Sequence, residues 1–259
     1  MSDELLYEVR DGIGFVTFNR PAARNALTFG MYEGLAEICE TAADKGEVKA
    51  LVLTGAGDKA FAAGTDISQF RSFKTPEDAI NYEQRIDKVL TAVEGCPLPT
   101  VAAIAGACTG GGAGIAAACD IRIAARDLKF GFPIARTLGN CLSARNLARL
   151  SALMGAGRTK EVIFTSRLVG AEEAFAAGLI TELLDDRAAV EARGAELAAQ
   201  LAGQAPLTLR ATKEALRRLN AAAANVDDKD LIVMCYTSED FREGLEAFLG
   251  KRKPDWKGR

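Results

Sequence analysis

The sequence contains no histidine. A serine or cysteine nucleophile activated by histidine is therefore excluded, as are histidine-ligated metals and imidazole general bases. Any proton transfer must be carried out by Asp, Glu, Tyr, Lys, Cys or a bound water molecule.

The cysteines also lack the spacing of a zinc site, because no two of them form a CxxC pair. Scattered single cysteines favour reduced thiols in an intracellular protein over a disulfide framework. We therefore expect no metal site and a cytoplasmic location. The six cysteines are Cys39, Cys96, Cys108, Cys119, Cys141 and Cys235.

Long apolar runs and an excess of positive charge are missing as well. No run reaches the ~18 residues that a membrane span needs, and the N-terminal MSDELLYEVR does not resemble a signal peptide. The net charge of −3 argues against a nucleic-acid partner. With 49% apolar and 26% charged residues, the chain has the composition of a globular protein with a sizeable core.

The hydrophobic pattern predicts an α/β protein. Apolar and polar residues alternate on both sides of Asp11-Gly12, which predicts a hairpin. Residues 49–55 and 100–106 are short apolar runs typical of buried strands. Thr28 is a candidate N-cap, and Thr75-Pro76 is a typical helix start. From about residue 143 onward the pattern is almost entirely helical, and its last predicted helix runs over residues 226–249. We therefore expect an α/β core over residues 1–195 and a helical region over residues 196–259.

Two glycine-bearing loops follow buried strands, and each is followed by a helix. They are FAAGTDI (61–67) and GACTGGGAG (106–114). Helix N-termini carry unpaired N–H groups and a positive dipole end, so two such loops could together bind the oxyanion of a reacting carbonyl. Alternatively, the glycines only permit tight turns or close packing. A dinucleotide site is not favoured, because GGGAG differs from GxGxxG.

The two glycine-bearing loops belong to a set of six stretches that are spread along the sequence. In their order, these stretches resemble the crotonase (enoyl-CoA hydratase/isomerase) superfamily over essentially the whole chain. The resemblance implies a crotonase-type spiral of ββα units with a helical C-terminal trimerisation region. It also implies a homotrimer or dimer of trimers that acts on acyl-CoA thioesters, with CoA as part of the substrate and no separate cofactor. The matching stretches are GFVTFNRPAARNAL, KALVLTGAGDKAFAAGTDI, PTVAAIAGACTGGGAGIAAACDIRIAA, FGFPIARTLG, AEEAFAAGLI and SEDFREGLEAFLGKRKPDWKGR.

The resemblance also assigns roles to individual residues. The backbone N–H groups of Thr65 and Gly111 would form the oxyanion hole. Arg24 is a candidate contact of a CoA phosphate, although it could equally be an ordinary exposed arginine, and the basic tail at 251–253 has the same two interpretations. The residues expected along the CoA path are Ala60, Ala62, Asp66 and Ile67.

Both glutamates that hydratases of this family use are absent. The resemblance places them at Gly114, two residues after GGG, and at Ile134, after the proline of FGFP. Each proton-transfer group contributes about 10²–10⁴-fold to a rate. We therefore expect ordinary hydration to be impaired unless another acid or base replaces them.

Candidate replacements lie in two segments. Asp87 and Glu83 are one turn apart on the 76–95 helix, and Asp87 is the preferred candidate because some relatives place a base near its position. Both could instead belong to a solvated helix face. In the segment 135–146, an arginine could bind a substrate carboxylate, polar groups could orient water, and a cysteine could be a nucleophile. Alternatively, a polar residue caps the next helix and the cysteine packs in the core. The residues concerned are Arg136, Asn140, Cys141 and Ser143.

The sequence thus predicts an acyl-CoA thioester enzyme that resembles enoyl-CoA hydratases and isomerases and stabilises an enolate or oxyanion with two N–H groups. Two alternatives stay open. The first is an acyl-CoA-binding protein with little turnover, and the second is a crotonase-type thioester hydrolase or isomerase with a different acid or base.

Overall fold

The computed structural model describes residues 3–223 and 226–259 and contains two sheets. The larger sheet has the strand order β1-β2-β3-β5-β7-β10, and the smaller one has the order β4-β6-β8-β9. The strands are β1 (Leu5–Arg10), β2 (Ile13–Phe18), β3 (Ala50–Gly55), β4 (Ala60–Ala63), β5 (Thr100–Ile104), β6 (Ala107–Thr109), β7 (Ile121–Ala125), β8 (Lys129–Gly131), β9 (Val169–Gly170) and β10 (Glu182–Leu184).

The described residues also form ten α-helices. They are α1 (Phe29–Thr41), α2 (Pro76–Gly95), α3 (Gly111–Ala118), α4 (Ile134–Thr137), α5 (Ala144–Thr165), α6 (Ala171–Ala176), α7 (Arg187–Ala202), α8 (Pro206–Ala223), α9 (Lys229–Tyr236) and α10 (Glu239–Leu249). Short 3-10 turns lie at Pro21–Ala23 and Ile67–Ser72. In the described part of the chain, no helix is both long enough and apolar enough to cross a bilayer.

The predicted N-terminal hairpin is confirmed. β1 and β2 pair antiparallel, with Arg10 opposite Ile13. Asp11 and Gly12 both have positive φ, at 49° and 77°. This is the tight two-residue turn whose twist matches that of the flanking strands. The remaining neighbours in the larger sheet pair parallel, as expected when helices connect the strands.

The core lies on both faces of the larger sheet. One face packs against α1, α2 and α3 in the largest apolar cluster, and α7 covers the other face. A third cluster joins α2 to α9 and α10. The C-terminal helices therefore pack against the same helix that carries the candidate acids.

Local capping explains where several helices begin. Thr75 and Asp78 form a reciprocal capping box at the start of α2, and Pro76 occupies the first turn. Thr28 caps α1 as expected. The predicted helix over 226–249 is two helices, because Ser238 accepts a hydrogen bond from the Phe241 N–H and starts α10.

The smaller sheet was not anticipated from the sequence. Its strands are at most four residues long, and β4 lies within a stretch interpreted as a loop. The predicted boundary between residues 195 and 196 falls inside α7, and the division into two domains stays a prediction.

Candidate active site

A cavity of about 750 Å³ lies between the two glycine-bearing loops, α2, α4 and the end of α10. This volume is within the range of small-molecule sites, which is about 300–1,000 Å³. Most of its wall is apolar, and only a few polar groups face it. These features make it the candidate active site.

The two glycine-bearing loops converge at this cavity. β4 and β6 are parallel neighbours, with Ala63 opposite Thr109, so their following residues leave the sheet side by side. A Cβ on Gly110 would lie 3.3 Å from the Cα of Gly64. Both glycines have positive φ, at 52° and 91°. A side chain at either position would be strained, and one at Gly110 would also crowd Gly64 on the other loop.

Thr65 and Gly111 line the cavity on these loops. Next to Thr65, the Leu27 N–H donates to the Gly64 carbonyl and the Asp66 N–H donates to the Leu27 carbonyl. Gly111 is the first residue of α3, where an N–H has no partner within the helix. Within residues 3–223 and 226–259, no hydrogen bond uses the N–H of either Thr65 or Gly111. Both N–H groups are therefore available as donors.

A chain of three hydroxyl groups lies behind these donors. The Thr65 Oγ1 is 2.9 Å from the hydroxyl of Tyr32 and 2.9 Å from the hydroxyl of Tyr82. Tyr32 is fully buried on α1, whereas Tyr82 is half-buried on α2. The Thr65 side chain is thus held between two helices.

Glu83 is the carboxyl group most enclosed by this cavity. It lines the cavity, and its side chain is buried, with 4% of the residue exposed. The Tyr236 hydroxyl donates a hydrogen bond to Glu83 Oε1, and the Ser143 N–H donates to the same carboxyl group. Asn140 Nδ2 donates in turn to the Tyr236 hydroxyl over 3.1 Å. The carboxyl group is held in one position by these donors.

Burial raises the pKa of Glu83 to about 8. The hydrogen bonds from Tyr236 and Ser143 partly offset the burial, whereas the nearby carboxylates of Asp87 and Asp228 raise the pKa further. Glu83 is therefore mostly protonated at neutral pH, and both of its forms are populated near pH 8. A group with such a pKa can both give and accept a proton under physiological conditions.

The raised pKa of Glu83 predicts a specific dependence of stability on pH. The unfolded chain loses this proton near pH 4.5, whereas the folded chain keeps it until about pH 8. Between these values the folded state binds more protons, so the free energy of unfolding falls as pH rises. At about 1.4 kcal/mol per pKa unit, the change is on the order of several kcal/mol.

Denaturant unfolding between pH 5 and pH 9 checks this prediction against Glu83→Gln, which has no such proton. We expect the variant to gain stability relative to the wild-type protein as pH rises through this window. A stability difference that does not vary with pH would contradict the raised pKa.

Asp87 lies one helical turn from Glu83 on α2 but outside the 750 Å³ cavity. It lines a separate surface hollow together with Lys88 and Arg145. Its Oδ1 accepts a hydrogen bond of 2.8 Å from Ser143 Oγ. Burial raises the pKa of Asp87, although Asp87 is only half-buried whereas Glu83 is buried. Asp87 is not among the residues that line the 750 Å³ cavity, so the catalytic role predicted for it stays a prediction without support from position.

The two positions where hydratases hold glutamates are apolar here. Gly114 and Ile134 both line the cavity. A Cβ on Gly114 would lie 3.3 Å from Leu90 Cδ1, and the Ile134 side chain is buried. The wall around the paired N–H groups therefore offers no group at these positions that could bind a water molecule.

In the segment 135–146, Asn140 lines the cavity, whereas Arg136 is exposed on α4 and does not. Ser143 caps α5 by accepting a hydrogen bond from the Asn146 N–H, as the structural alternative expected. Cys141 packs against the third apolar cluster. A hydrogen bond with Cys235, together with burial, raises the pKa of Cys141, which disfavours a nucleophilic role.

The residues expected along the CoA path divide into two groups. Arg24, Asp66 and Ile67 line the cavity, whereas Ala60 and Ala62 are buried in β4 and do not. Any contribution of these two alanines to CoA binding would have to come from their backbone. All five roles stay predictions.

Asp66 is held at the cavity wall by an ion pair. Its Oδ2 is 3.1 Å from Arg20 Nη2, and its Oδ1 accepts a hydrogen bond from the Ser68 N–H at the start of the following turn. Partial burial raises the pKa of Asp66, but the hydrogen bonds from Ser68 and Arg20 outweigh it, so the pKa is lowered. Asp66 therefore stays ionised and is a poor candidate for proton transfer.

Two residues at this site were not found from the sequence. Tyr236 lies in the C-terminal helical region, so far from Glu83 in the sequence that no local pattern indicates their contact. Lys129 lines the same cavity as Arg24 and adds a second positive charge suited to phosphate. For Glu83 itself a signal existed, because it shares the apolar face of α2 with Ile86 and Leu90 at helical spacing. Within the described ranges, no group of three or more Cys, Asp or Glu residues is arranged to hold a metal ion.

The chain is similar to a known protein family over almost its whole length. Residues 8–259 match the family described as Enoyl-CoA hydratase/isomerase. A short-chain-enoyl-CoA hydratase of Clostridium acetobutylicum is 32% identical over 97% of this chain and 96% of its own length.

Two solved structures extend the likeness to the fold. An enoyl-CoA hydratase/carnithine racemase from Magnetospirillum magneticum has a TM-score of 0.79 at 35% identity and covers 100% of this chain and 97% of its own. A methylmalonyl-CoA decarboxylase in complex with 2-nitronate-propionyl-CoA has a TM-score of 0.90 at 25% identity, with 100% of both chains covered.

The chain therefore belongs to the enoyl-CoA hydratase/isomerase family of the crotonase superfamily. It has the α/β fold of that superfamily and is an enzyme of the hydratase/isomerase type.

Proposed function

We propose that this enzyme moves the double bond of an enoyl-CoA thioester, with Glu83 as its one proton-transfer group. The thioester carbonyl oxygen would bind to the N–H groups of Thr65 and Gly111. The observation that carries the proposal is the position of Glu83, a buried carboxyl group that lines the same cavity as these two donors.

The reaction needs only one carboxyl group. The Glu83 carboxylate removes a proton from C2 of a 3-enoyl thioester, and the electron pair moves into a dienolate. The negative charge collects on the thioester oxygen, where two fixed N–H donors stabilise it. The protonated Glu83 then returns the same proton to C4, which gives the conjugated 2-enoyl thioester. No atom is gained or lost, and no water takes part.

Hydration makes greater demands on the site. It needs a group that positions and deprotonates water and a source for the second proton. The apolar wall at Gly114 and Ile134 supports isomerisation over hydration, because a water molecule there would lack partners.

The test compares two reactions of the wild-type protein. With a 3-enoyl-CoA, isomerisation raises the absorbance of the conjugated enoyl thioester. With crotonyl-CoA, hydration lowers it. We expect the first rate to exceed the second by about 10²-fold or more, since the two missing glutamates are each worth about 10²–10⁴-fold. Fast loss of crotonyl-CoA absorbance would reject the proposal, and acyl-CoA binding without either reaction would favour a binding protein.

Decarboxylation is a second candidate. It is favoured by the TM-score of 0.90 to a methylmalonyl-CoA decarboxylase. Loss of CO₂ from a malonyl-type thioester leaves an enolate without the need for a base. The enolate could then take a proton from Glu83, which is mostly protonated at neutral pH. Release of CO₂ from methylmalonyl-CoA separates this candidate from isomerisation.

We also propose that the chain assembles as a homotrimer or a dimer of trimers. On α8 large apolar side chains are exposed in the single chain, among them Leu207 at 77% and Leu219 at 69%. Exposed apolar faces of this kind are typical of surfaces that a partner covers. Light scattering of the purified protein measures the assembly directly.

A further inference from the structure

Tyr32 contacts both loops that carry the proposed oxyanion hole. It lies on α1, outside both glycine motifs, and its side chain is fully buried. We infer that Tyr32 is a positioning residue whose hydroxyl group fixes the spacing and direction of the N–H donors of Thr65 and Gly111. This inference rests on the proposed function, because it concerns the same carbonyl-binding site.

The first contact is with Thr65. The Tyr32 hydroxyl and Thr65 Oγ1 are 2.9 Å apart, which is a normal hydrogen-bond distance. Thr65 Oγ1 is also 2.9 Å from the Tyr82 hydroxyl. A threonine hydroxyl has one hydrogen to donate, so at least one tyrosine donates to it. The side chain is held from two sides, and this limits rotation of the residue whose N–H faces the cavity.

The second contact is with Gly111. A Cβ at this position would overlap the Tyr32 hydroxyl oxygen, and it would lie 3.1 Å from Tyr32 Cζ. The hydroxyl therefore occupies the volume that a side chain at residue 111 would need. It rests against the first turn of α3 and sets how closely that turn approaches α1. A single oxygen atom thus contacts the residues that carry both donors.

Acid–base chemistry is not the reason for this arrangement. Burial raises the pKa of Tyr32 above its ordinary value, so the phenol stays neutral at physiological pH. Its contribution is geometric. Oxyanion stabilisation depends on donors at about 2.7–3.1 Å from the charged oxygen, so a small displacement weakens it strongly.

Tyr32→Phe removes the hydroxyl group and keeps the ring. We expect kcat to fall about 10- to 30-fold with KM changed less than about 3-fold, because the donors act mainly on the charged intermediate. The matched control is Tyr82→Phe, which removes the other partner of Thr65 but no contact with Gly111. It should lower kcat as well, but by less than Tyr32→Phe does, because the contacts of Tyr32 with Thr65 and Gly111 are both kept. Equal effects of the two variants would overturn the role of Tyr32 at Gly111.

A spectroscopic measurement separates this inference from the proposed function. The carbonyl stretch of a bound, unreactive acyl-CoA shifts to lower frequency when two N–H groups polarise it, and the shift does not require turnover. We expect the wild-type protein to show the shift and Tyr32→Phe to lose most of it. If the shift survives in Tyr32→Phe, the inference fails and the proposed site stands. If the wild-type protein binds acyl-CoA without a shift, the oxyanion hole and the inference fail together.

Thr65→Ala examines the same contact from the other side. If Tyr32 acts through the Thr65 hydroxyl as well as through Gly111, the two substitutions are coupled, and the double variant loses less than the sum of the single losses. Strict additivity would contradict a shared role. Thr65→Ala keeps the backbone N–H, so it also serves as the test if Tyr32→Phe does not fold.

Discussion

Glu83→Gln is expected to lower kcat for enoyl-CoA isomerisation by about 10²–10⁴-fold. Glutamine has nearly the same shape as glutamate and can still accept the hydrogen bond from Tyr236, but it cannot carry the proton between C2 and C4. The affinity for an unreactive acyl-CoA should change little, because in the proposed mechanism Glu83 acts on the acyl group and not on the CoA moiety. Steady-state kinetics and a binding titration measure the two effects separately.

The matched control is Asp87→Asn, on the same helix and one turn further on. Asp87 lines a different hollow and is bonded to Ser143 Oγ. We expect kcat of Asp87→Asn to stay within about 5-fold of the wild-type value. Any loss of activity should follow a change in the stability of the variant. A collapse in Asp87→Asn with an active Glu83→Gln would restore the candidate preferred from the sequence and remove Glu83 from the mechanism.

The pH profile adds an independent check on Glu83. If its carboxylate removes the C2 proton, kcat/KM should rise with pH, reach half its maximum near pH 8, where the pKa of Glu83 lies, and level off above it. Decarboxylation would show the opposite trend, because there Glu83 acts in its protonated form. The same residue also makes the protein less stable as pH rises, which is the pattern expected when a buried acid is kept for its reactivity.

The fold and the two glycine-bearing loops follow from local sequence signals. Each buried strand runs into glycines and then a helix start, and parallel neighbours must release such loops at the same sheet edge. The N-caps at Thr28 and Thr75 likewise depend on residues within one turn. Signals of this range are complete within a short stretch of sequence, and the structure confirms them.

The surroundings of Glu83 depend instead on contacts between distant segments. Tyr236 bonds to Glu83 across 153 residues of chain, and the relevant face of α2 is set by how α9 and α10 pack on it. From the sequence alone, Asp87 is the preferred candidate, because its position along the helix is near that of a base in some relatives. The apolar neighbours Ile86 and Leu90 indicate that Glu83 points into the protein, but only the packing reveals that a cavity lies there.

Gly111→Ala is expected to lower kcat by about 10²–10³-fold, the range seen when one oxyanion donor is lost. The substitution keeps the N–H but adds a Cβ that overlaps the Tyr32 hydroxyl and lies 3.3 Å from Thr65 Oγ1. The first turn of α3 must then move away from α1, and the N–H moves with it. Acyl-CoA binding should persist, whereas the carbonyl shift of the bound thioester should be lost.

Gly157→Ala is the matched control for that substitution. Gly157 lies in α5, and a Cβ there would meet nothing within 4 Å. Alanine is a better helix former than glycine by about 1 kcal/mol, so the control should be as active as the wild-type protein and slightly more stable. In the Tyr32→Phe background the overlapping oxygen is absent, so Gly111→Ala should cost less there than in the wild-type protein. A Gly111→Ala variant with wild-type kcat and an intact carbonyl shift would show that the Gly111 N–H is not one of the donors.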